Sequence, residues 1–179
     1  LRHRPSILPI ISAWKHGKEK AELISVSKLP RTGNNKSSLS SMLRFGYYYI
    51  DYILGQFYVY IRYVKRGNVV LYDRYYFDFI NDGRRSNIHF PPSLIKFGYH
   101  FLLKPELNFF LYADAHIILS RKQELNKETI ETLTTNYRDL FDDFENKYKA
   151  SSYKSINNEE LQDTISYIFE NIKSKIKRA

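Results

Sequence analysis

The run Asn68-Val69-Val70-Leu71-Tyr72-Asp73-Arg74-Tyr75-Tyr76-Phe77-Asp78 passes directly from β-rich apolar residues to a charged pair. Bounded by Gly67, its first half reads as a short inner strand of a parallel sheet, buried on both faces. Open α/β sheets bind ligands beyond the carboxyl ends of their strands, where Asp73 and Arg74 fall. A guanidinium there offers paired donors to phosphate oxygens. A carboxylate can hold Mg²⁺ through water or accept a hydroxyl proton. The same two residues also read as an ion pair closing a strand, and the segment alone leaves both readings open.

Upstream, Ser40 or Ser41 is placed to cap a long helix running to about Lys65, with Gly67 in the glycine stop position. Leu43 to Val64 is the most apolar long segment, yet Arg44, Asp51, Gln56 and Arg62 interrupt it, so it makes a poor membrane span. Many of the 16 tyrosines lie here. A tyrosine ring packs its body inward and leaves its hydroxyl wet, so an amphipathic core helix is expected. Before it, residues 12–41 are basic and polar and read as an exposed insertion, with Leu23 to Val26 as a brief strand within it. Leu1 to Pro9, holding Arg2, His3, Arg4 and Pro5, reads as a strand end running into a loop.

Downstream, a polar loop carries Arg84 and Arg85, and Pro91-Pro92 leads into a helix from about Ser93 to Leu103. Lys104-Pro105 breaks it, and Leu107 to Ala113 supplies a second inner strand ending at Asp114. Ala115 to Leu125 reads as a short helix with Arg121, Lys122 and Glu124. Asn126 is placed to cap a helix from Lys127 to about Tyr148. Tyr153 to Ile156 is a weaker third strand, and a last helix spans Asn158 to about Lys177. Its apolar residues recur at helical spacing and its basic end suits the helix dipole. Strands alternating with helices of this length imply right-handed crossovers and a three-layer α/β fold with a parallel sheet.

With 179 residues, 43% of them hydrophobic, the chain suits a single domain with a real core. The net charge of +9 favours anionic partners without choosing among them. Cysteine is absent, which excludes disulfides and thiolate metal sites. The histidines His3, His16, His89, His100 and His116 show no ligand spacing for zinc. No secretion signal is evident, and a cytoplasmic location is the expectation. The chain begins at Leu1 rather than Met, and three short strands make a thin sheet, so a strand is expected upstream.

The order of motifs resembles thymidylate kinases and their thymidylate-kinase-like relatives over most of the chain. It comprises an Arg-Pro near a strand end, Arg66-Gly67 after a long helix, Asp73-Arg74-Tyr75, Lys104-Pro105-Glu106 opening a strand, Arg121-Lys122, and Asn136-Tyr137-Arg138. The resemblance implies a P-loop nucleoside-monophosphate-kinase fold, incomplete at its amino-terminal strand and P-loop, and ATP-dependent phosphoryl transfer with Mg²⁺. It assigns the acceptor phosphate to Arg74, Tyr75 and Arg4, and the metal and attacking phosphate to Asp73. Residues 115–148 become the lid-like region and the helix after it, with Arg121 and Lys122 closing over the transferring group. Such transfer needs positioned positive charge and exclusion of water rather than an elaborate nucleophile. The family also pairs through helices, which implies a homodimer through residues 41–65. Taken without the family, Arg121 reads first as an i,i+3 partner of Glu124.

Two departures stand out. No G-x-x-x-x-G-K-[S/T] loop exists, and the nearest match, Gly33-Asn34-Asn35-Lys36-Ser37, lacks the first glycine and the Gly-Lys dipeptide. Ile53, with Asp51 nearby, stands where the family places an acceptor-holding arginine on the long helix, and Arg84 or Arg85 becomes the substitute. The chain by itself is therefore expected to be inactive. The rival readings are a non-catalytic nucleotide binder or scaffold of the same fold and a nucleic-acid-binding module. The last ranks lowest, because the basic residues are dispersed and carry no recognition motif.

Overall fold

A computed structural model describes residues 38–82, 90–121, 123 and 125–177. These residues form a mixed α/β, mostly helical chain with a small parallel sheet. The chain divides into two compact units, Leu1–Leu103 and Lys104–Ala179.

In the first unit, α1 spans Ser38–Arg62 and passes through a 3-10 turn at Val64–Arg66. Gly67 stops it with φ 78° and returns its N–H to the Val64 carbonyl, a left-handed conformation that glycine adopts without a Cβ penalty. Because α1 already runs from Ser38, Ser41 is not the expected cap; it lies buried within the helix. The short helices α2 (Phe77–Asn81) and α3 (Pro92–Gly98) follow. Pro91 is extended and Pro92 opens α3, where a missing N–H costs nothing. The expected helix to Leu103 ends early, tightening into a 3-10 turn at Tyr99–Phe101.

The core of this unit is aromatic. Tyr52 meets Tyr75, Tyr76 and Phe79 edge-on at 5.5 to 5.9 Å between centroids, and Tyr76 stacks on Tyr99 at 6.0 Å. Edge-to-face pairs set the positive ring edge against the negative face. Buried hydroxyls need acceptors, and the backbone supplies them. Tyr76 donates to the Ile95 carbonyl at 2.9 Å and Tyr49 to the Gly98 carbonyl at 2.7 Å. Burial, and then the neighbouring Tyr49 and Tyr52, raise the Tyr76 hydroxyl far above its ordinary pKa, so it remains a donor. Gly98 makes the close approach possible: a Cβ there would lie 2.8 Å from the Tyr76 hydroxyl oxygen and 3.1 Å from a Tyr49 ring carbon.

The expected inner strand at Asn68–Tyr72 is not formed. The segment has no regular structure, and Asp73 registers as a single bridge residue. Val69 is 62% exposed and Leu71 67% exposed, so this run is not sandwiched between layers. An apolar β-rich run supplies propensity, but a buried inner strand also needs cover on its faces.

The second unit contains the sheet. The strands β1 (Leu107–Tyr112) and β2 (Ser152–Asn157) pair in parallel, from Leu107 opposite Ser152 to Tyr112 opposite Asn157. Among the described residues these are the sheet's two strands, so β1 has one strand neighbour rather than the two of an inner strand. Parallel strands need a long crossover, made here by α4 (Ala115–Arg121) and α5 (Lys127–Lys147). Asn126 caps α5 as expected, accepting from the Thr129 N–H at 2.9 Å.

One face of α5 packs on the sheet. Ile130, Leu140, Phe141 and Phe144 are buried, Phe110 stacks on Tyr137 at 4.8 Å, and Phe141 and Phe144 meet Tyr153 edge-on. Asn108 ties the start of β1 to β2 by donating to the Pro105 and Ser152 carbonyls. Glu145 clamps β2 to α5, accepting from the Tyr153 N–H at 2.6 Å and from Lys154 at 3.0 Å. The last helix, α6, spans Leu161–Ile176 and starts three residues later than expected because β2 runs on to Asn157. No helix among the described residues is long and apolar enough to cross a membrane.

Candidate functional site

The first unit presents the Asp73-Arg74 turn. Arg74 has φ 69°, the one non-glycine residue with positive φ among the described residues. For a side chain with a Cβ this region costs about 1–2 kcal/mol. The turn is held from both sides. Arg74 Nη1 donates to Asp78 Oδ2 at 3.0 Å across one turn into α2, and the arginine side chain stays 41% exposed. Tyr75, 6% exposed, anchors the other side in the aromatic core. Its hydroxyl donates to the Leu103 carbonyl at 2.5 Å and accepts from Gln56 Nε2, while Gln56 Oε1 accepts from the Leu103 N–H at 2.8 Å. Asp73 is exposed. A strained backbone thus carries a partly exposed guanidinium, paired with Asp78, next to a packed tyrosine.

The second unit opens a cleft of about 300 Å³ at the carboxyl end of β1. Tyr112, Ala113 and Asp114 form its floor, and α5 forms one wall with Ile130, Glu131, Thr134, Thr135 and Arg138. The wall residues recur three and four apart, which lines them along one face of a helix. Glu159, just past β2, adds a third carboxylate. The Arg138 guanidinium lies 5.1 Å from the centroid of the Tyr112 ring, a cation–π contact. Lys127 offsets Glu131 at 3.7 Å, and Asp114 caps α4 by accepting from the His116 N–H at 2.8 Å. The cleft offers carboxylate and hydroxyl acceptors with one strong cationic donor, suited to a polar ligand of mixed charge. Among the described residues no cluster of three or more His, Cys, Asp or Glu could hold a metal ion.

The structure brings Asp73, Arg74 and Tyr75 together in the first unit, with Tyr75 a core residue rather than a surface one. Arg121 belongs to the second unit, where it donates to the Asn158 and Glu159 carbonyls, both at 3.3 Å. Arg4, Arg84, Arg85, Lys122 and Glu124 lie outside the described residues, as do the Gly33–Ser37 match and the Leu23–Val26 strand. Residues 38–41 of the expected insertion belong to α1.

Sequence alone assigns no site role to Asp114, Thr134, Thr135, Arg138 or Glu159. Asp114 was already legible as the end of a strand. The row 131, 134, 135 and 138 could have been found by asking which face of α5 meets that end. No protein-family model, curated protein or solved structure matches this chain.

Proposed function

We propose that this chain carries the acceptor side of an ATP-dependent phosphoryl transferase resembling the thymidylate kinases, acting on a nucleoside monophosphate or a similar phosphate acceptor. The observation that carries the reading is Arg74, a non-glycine residue in the left-handed region with an exposed guanidinium. Strained backbone of this kind persists where the surroundings over-determine it, and it concentrates at functional sites. In this reading Arg74 binds the acceptor phosphate and Tyr75, buried beneath it, positions the turn. The resemblance makes Arg4, Arg84 and Arg85 further candidates for the acceptor and Arg121 with Lys122 the lid candidates.

Asp73 is a single carboxylate, which suits Mg²⁺ held mainly by phosphate oxygens and water. When bound, the ion would screen charge between donor and acceptor phosphates. The parallel pair β1–β2 with its helical crossover fits a piece of the three-layer P-loop sheet. The donor-phosphate loop is the part of that fold with no counterpart in the sequence. The partners in this reading are a phosphorylated small molecule in a cytoplasmic setting and, through residues 41–65, a second copy of the chain.

Calorimetric titration with thymidine monophosphate tests the acceptor site. Arg74→Ala is expected to weaken binding by about 10- to 100-fold, the 1.5–3 kcal/mol of a charge-assisted hydrogen bond. Unchanged binding by the variant, or no binding by the unaltered protein, overturns the reading. The absent donor loop and Ile53 favour the second reading, a non-catalytic binder of the same fold. Transfer of phosphate from ATP separates the two: the binder takes up the monophosphate and leaves ATP intact.

A further inference from the structure

The cleft at the carboxyl end of β1 holds opposite charges that do not neutralise one another. The Arg138 guanidinium lies 5.1 Å from the Tyr112 ring centroid, and among the described residues it forms no hydrogen bond or ion pair. Its N–H donors are therefore unspent, although Asp114, Glu131 and Glu159 line the same cleft. Glu131 stands seven residues from Arg138 along α5, about 10 Å of helix, and Lys127 offsets it. Asp114 Oδ1 accepts from the His116 N–H, and Glu159 Oε1 accepts from the Asn157 amide at 3.0 Å. Each of these two carboxylates keeps its second oxygen.

We infer that this cleft binds a basic α-amino acid of the lysine class, its carboxylate on Arg138 and its two ammonium groups on Asp114 and Glu159. A guanidinium offers paired donors to a carboxylate, and a carboxylate accepts from an ammonium. The charges match one for one. With Glu131 offset by Lys127, the cleft presents two carboxylates and one guanidinium, and lysine at neutral pH presents two ammonium groups and one carboxylate. Ala113, Ala115 and Ile130 are buried and, with the Tyr112 ring, offer apolar surface to an aliphatic chain. A cleft of about 300 Å³ holds one small molecule.

Other small ligands fit this charge pattern less well. The excess of carboxylate repels a phosphate, and Arg74 belongs to the other unit, so the inference is independent of the phosphate-acceptor reading. A diamine would satisfy Asp114 and Glu159 but bring two positive charges to an unpaired Arg138. A neutral amino acid would leave one carboxylate unmatched. The short helix α4 fixes both acidic partners in advance: Asp114 caps its start, and Arg121 at its end donates to the Asn158 and Glu159 carbonyls. Groups held before the ligand arrives lose little freedom on binding.

Calorimetric titration of the whole chain with L-lysine tests the site against two comparison ligands. Cadaverine is lysine without its carboxylate, and L-norleucine is lysine without its side-chain ammonium. Lysine is expected to bind more tightly than either by about 10-fold or more, the loss of one charge-assisted hydrogen bond. Arg138→Gln is expected to weaken lysine by about 10- to 100-fold and to leave cadaverine no weaker. Asp114→Asn, whose side chain still suits the cap of α4, is expected to weaken lysine with an unchanged circular dichroism spectrum. No lysine binding by the unaltered protein overturns the inference. Cadaverine or norleucine binding as tightly as lysine, or Arg138→Gln binding lysine as before, overturns it equally. The comparison of ligands needs no variant, so a substitution that disturbs folding leaves the test decisive.

Discussion

Replacing Arg74 by glycine and by alanine separates the backbone of the turn from its charge. Both substitutions remove the Arg74–Asp78 pair, which is partly exposed and spans one helical turn, so each loses the same ~0.3–0.5 kcal/mol. They differ in what they ask of the backbone at φ 69°. Alanine retains the Cβ and with it a left-handed penalty of about 1–2 kcal/mol. Glycine removes the penalty but gains about 0.4–1 kcal/mol of unfolded-chain freedom. Arg74→Gly is therefore expected to be more stable than Arg74→Ala by about 0.5–1 kcal/mol, the reverse of the usual order within regular structure. For a chain of this size that corresponds to roughly 1–4 °C in Tm. Urea unfolding at neutral pH measures the difference. An alanine variant equal to or more stable than the glycine variant would refute the claim that the turn is strained, and with it the argument placing function there.

Gly98→Ala forces a Cβ against the Tyr76 hydroxyl and the Tyr49 ring, so the aromatic core must shift. A loss of about 1–3 kcal/mol is expected in denaturant unfolding, as for overpacking elsewhere. Glu145 predicts a pH effect. Burial pushes its carboxyl up, but the Tyr153 N–H and Lys154 outweigh burial and hold it below the usual glutamate value. A depressed folded pKa contributes stability that is present above the unfolded value of ~4.3 and is lost as pH falls through the folded one. Glu145→Gln is expected to flatten the stability-versus-pH curve in that acidic window. A curve parallel to that of the unaltered protein would show that the clamp between α5 and β2 contributes nothing measurable.

Much of the second unit was legible in the residues. Leu107 to Ala113 and Tyr153 to Ile156 read as strands, Lys127 to Tyr148 read as a helix, and Asn126 formed the cap its side chain suggests. These features are local: a cap needs an oxygen near its own next turn, and helical periodicity is a property of one segment. Asn68–Tyr72 differs: its apolar run has the composition of a buried strand, yet it has no regular structure and leaves Val69 and Leu71 exposed. It also noted the tyrosines of α1 without showing which way they turn.

By itself the sequence determined that Asn126 would cap α5, that Gly67 would stop the chain leaving α1, and that an Asp-Arg pair would follow an apolar run. Tertiary structure decided what depends on neighbours distant in the chain. Gln56 was drawn inward by the Leu103 amide, 47 positions away, while Leu43, Ile50, Leu54 and Ile61 stand exposed on α1. Tyr75 was placed in the core under a strained Arg74, and Arg138 was brought to the end of β1. A residue's propensity is fixed by its own covalent chemistry, but its burial depends on which surfaces and donors arrive around it, and those come from elsewhere in the chain.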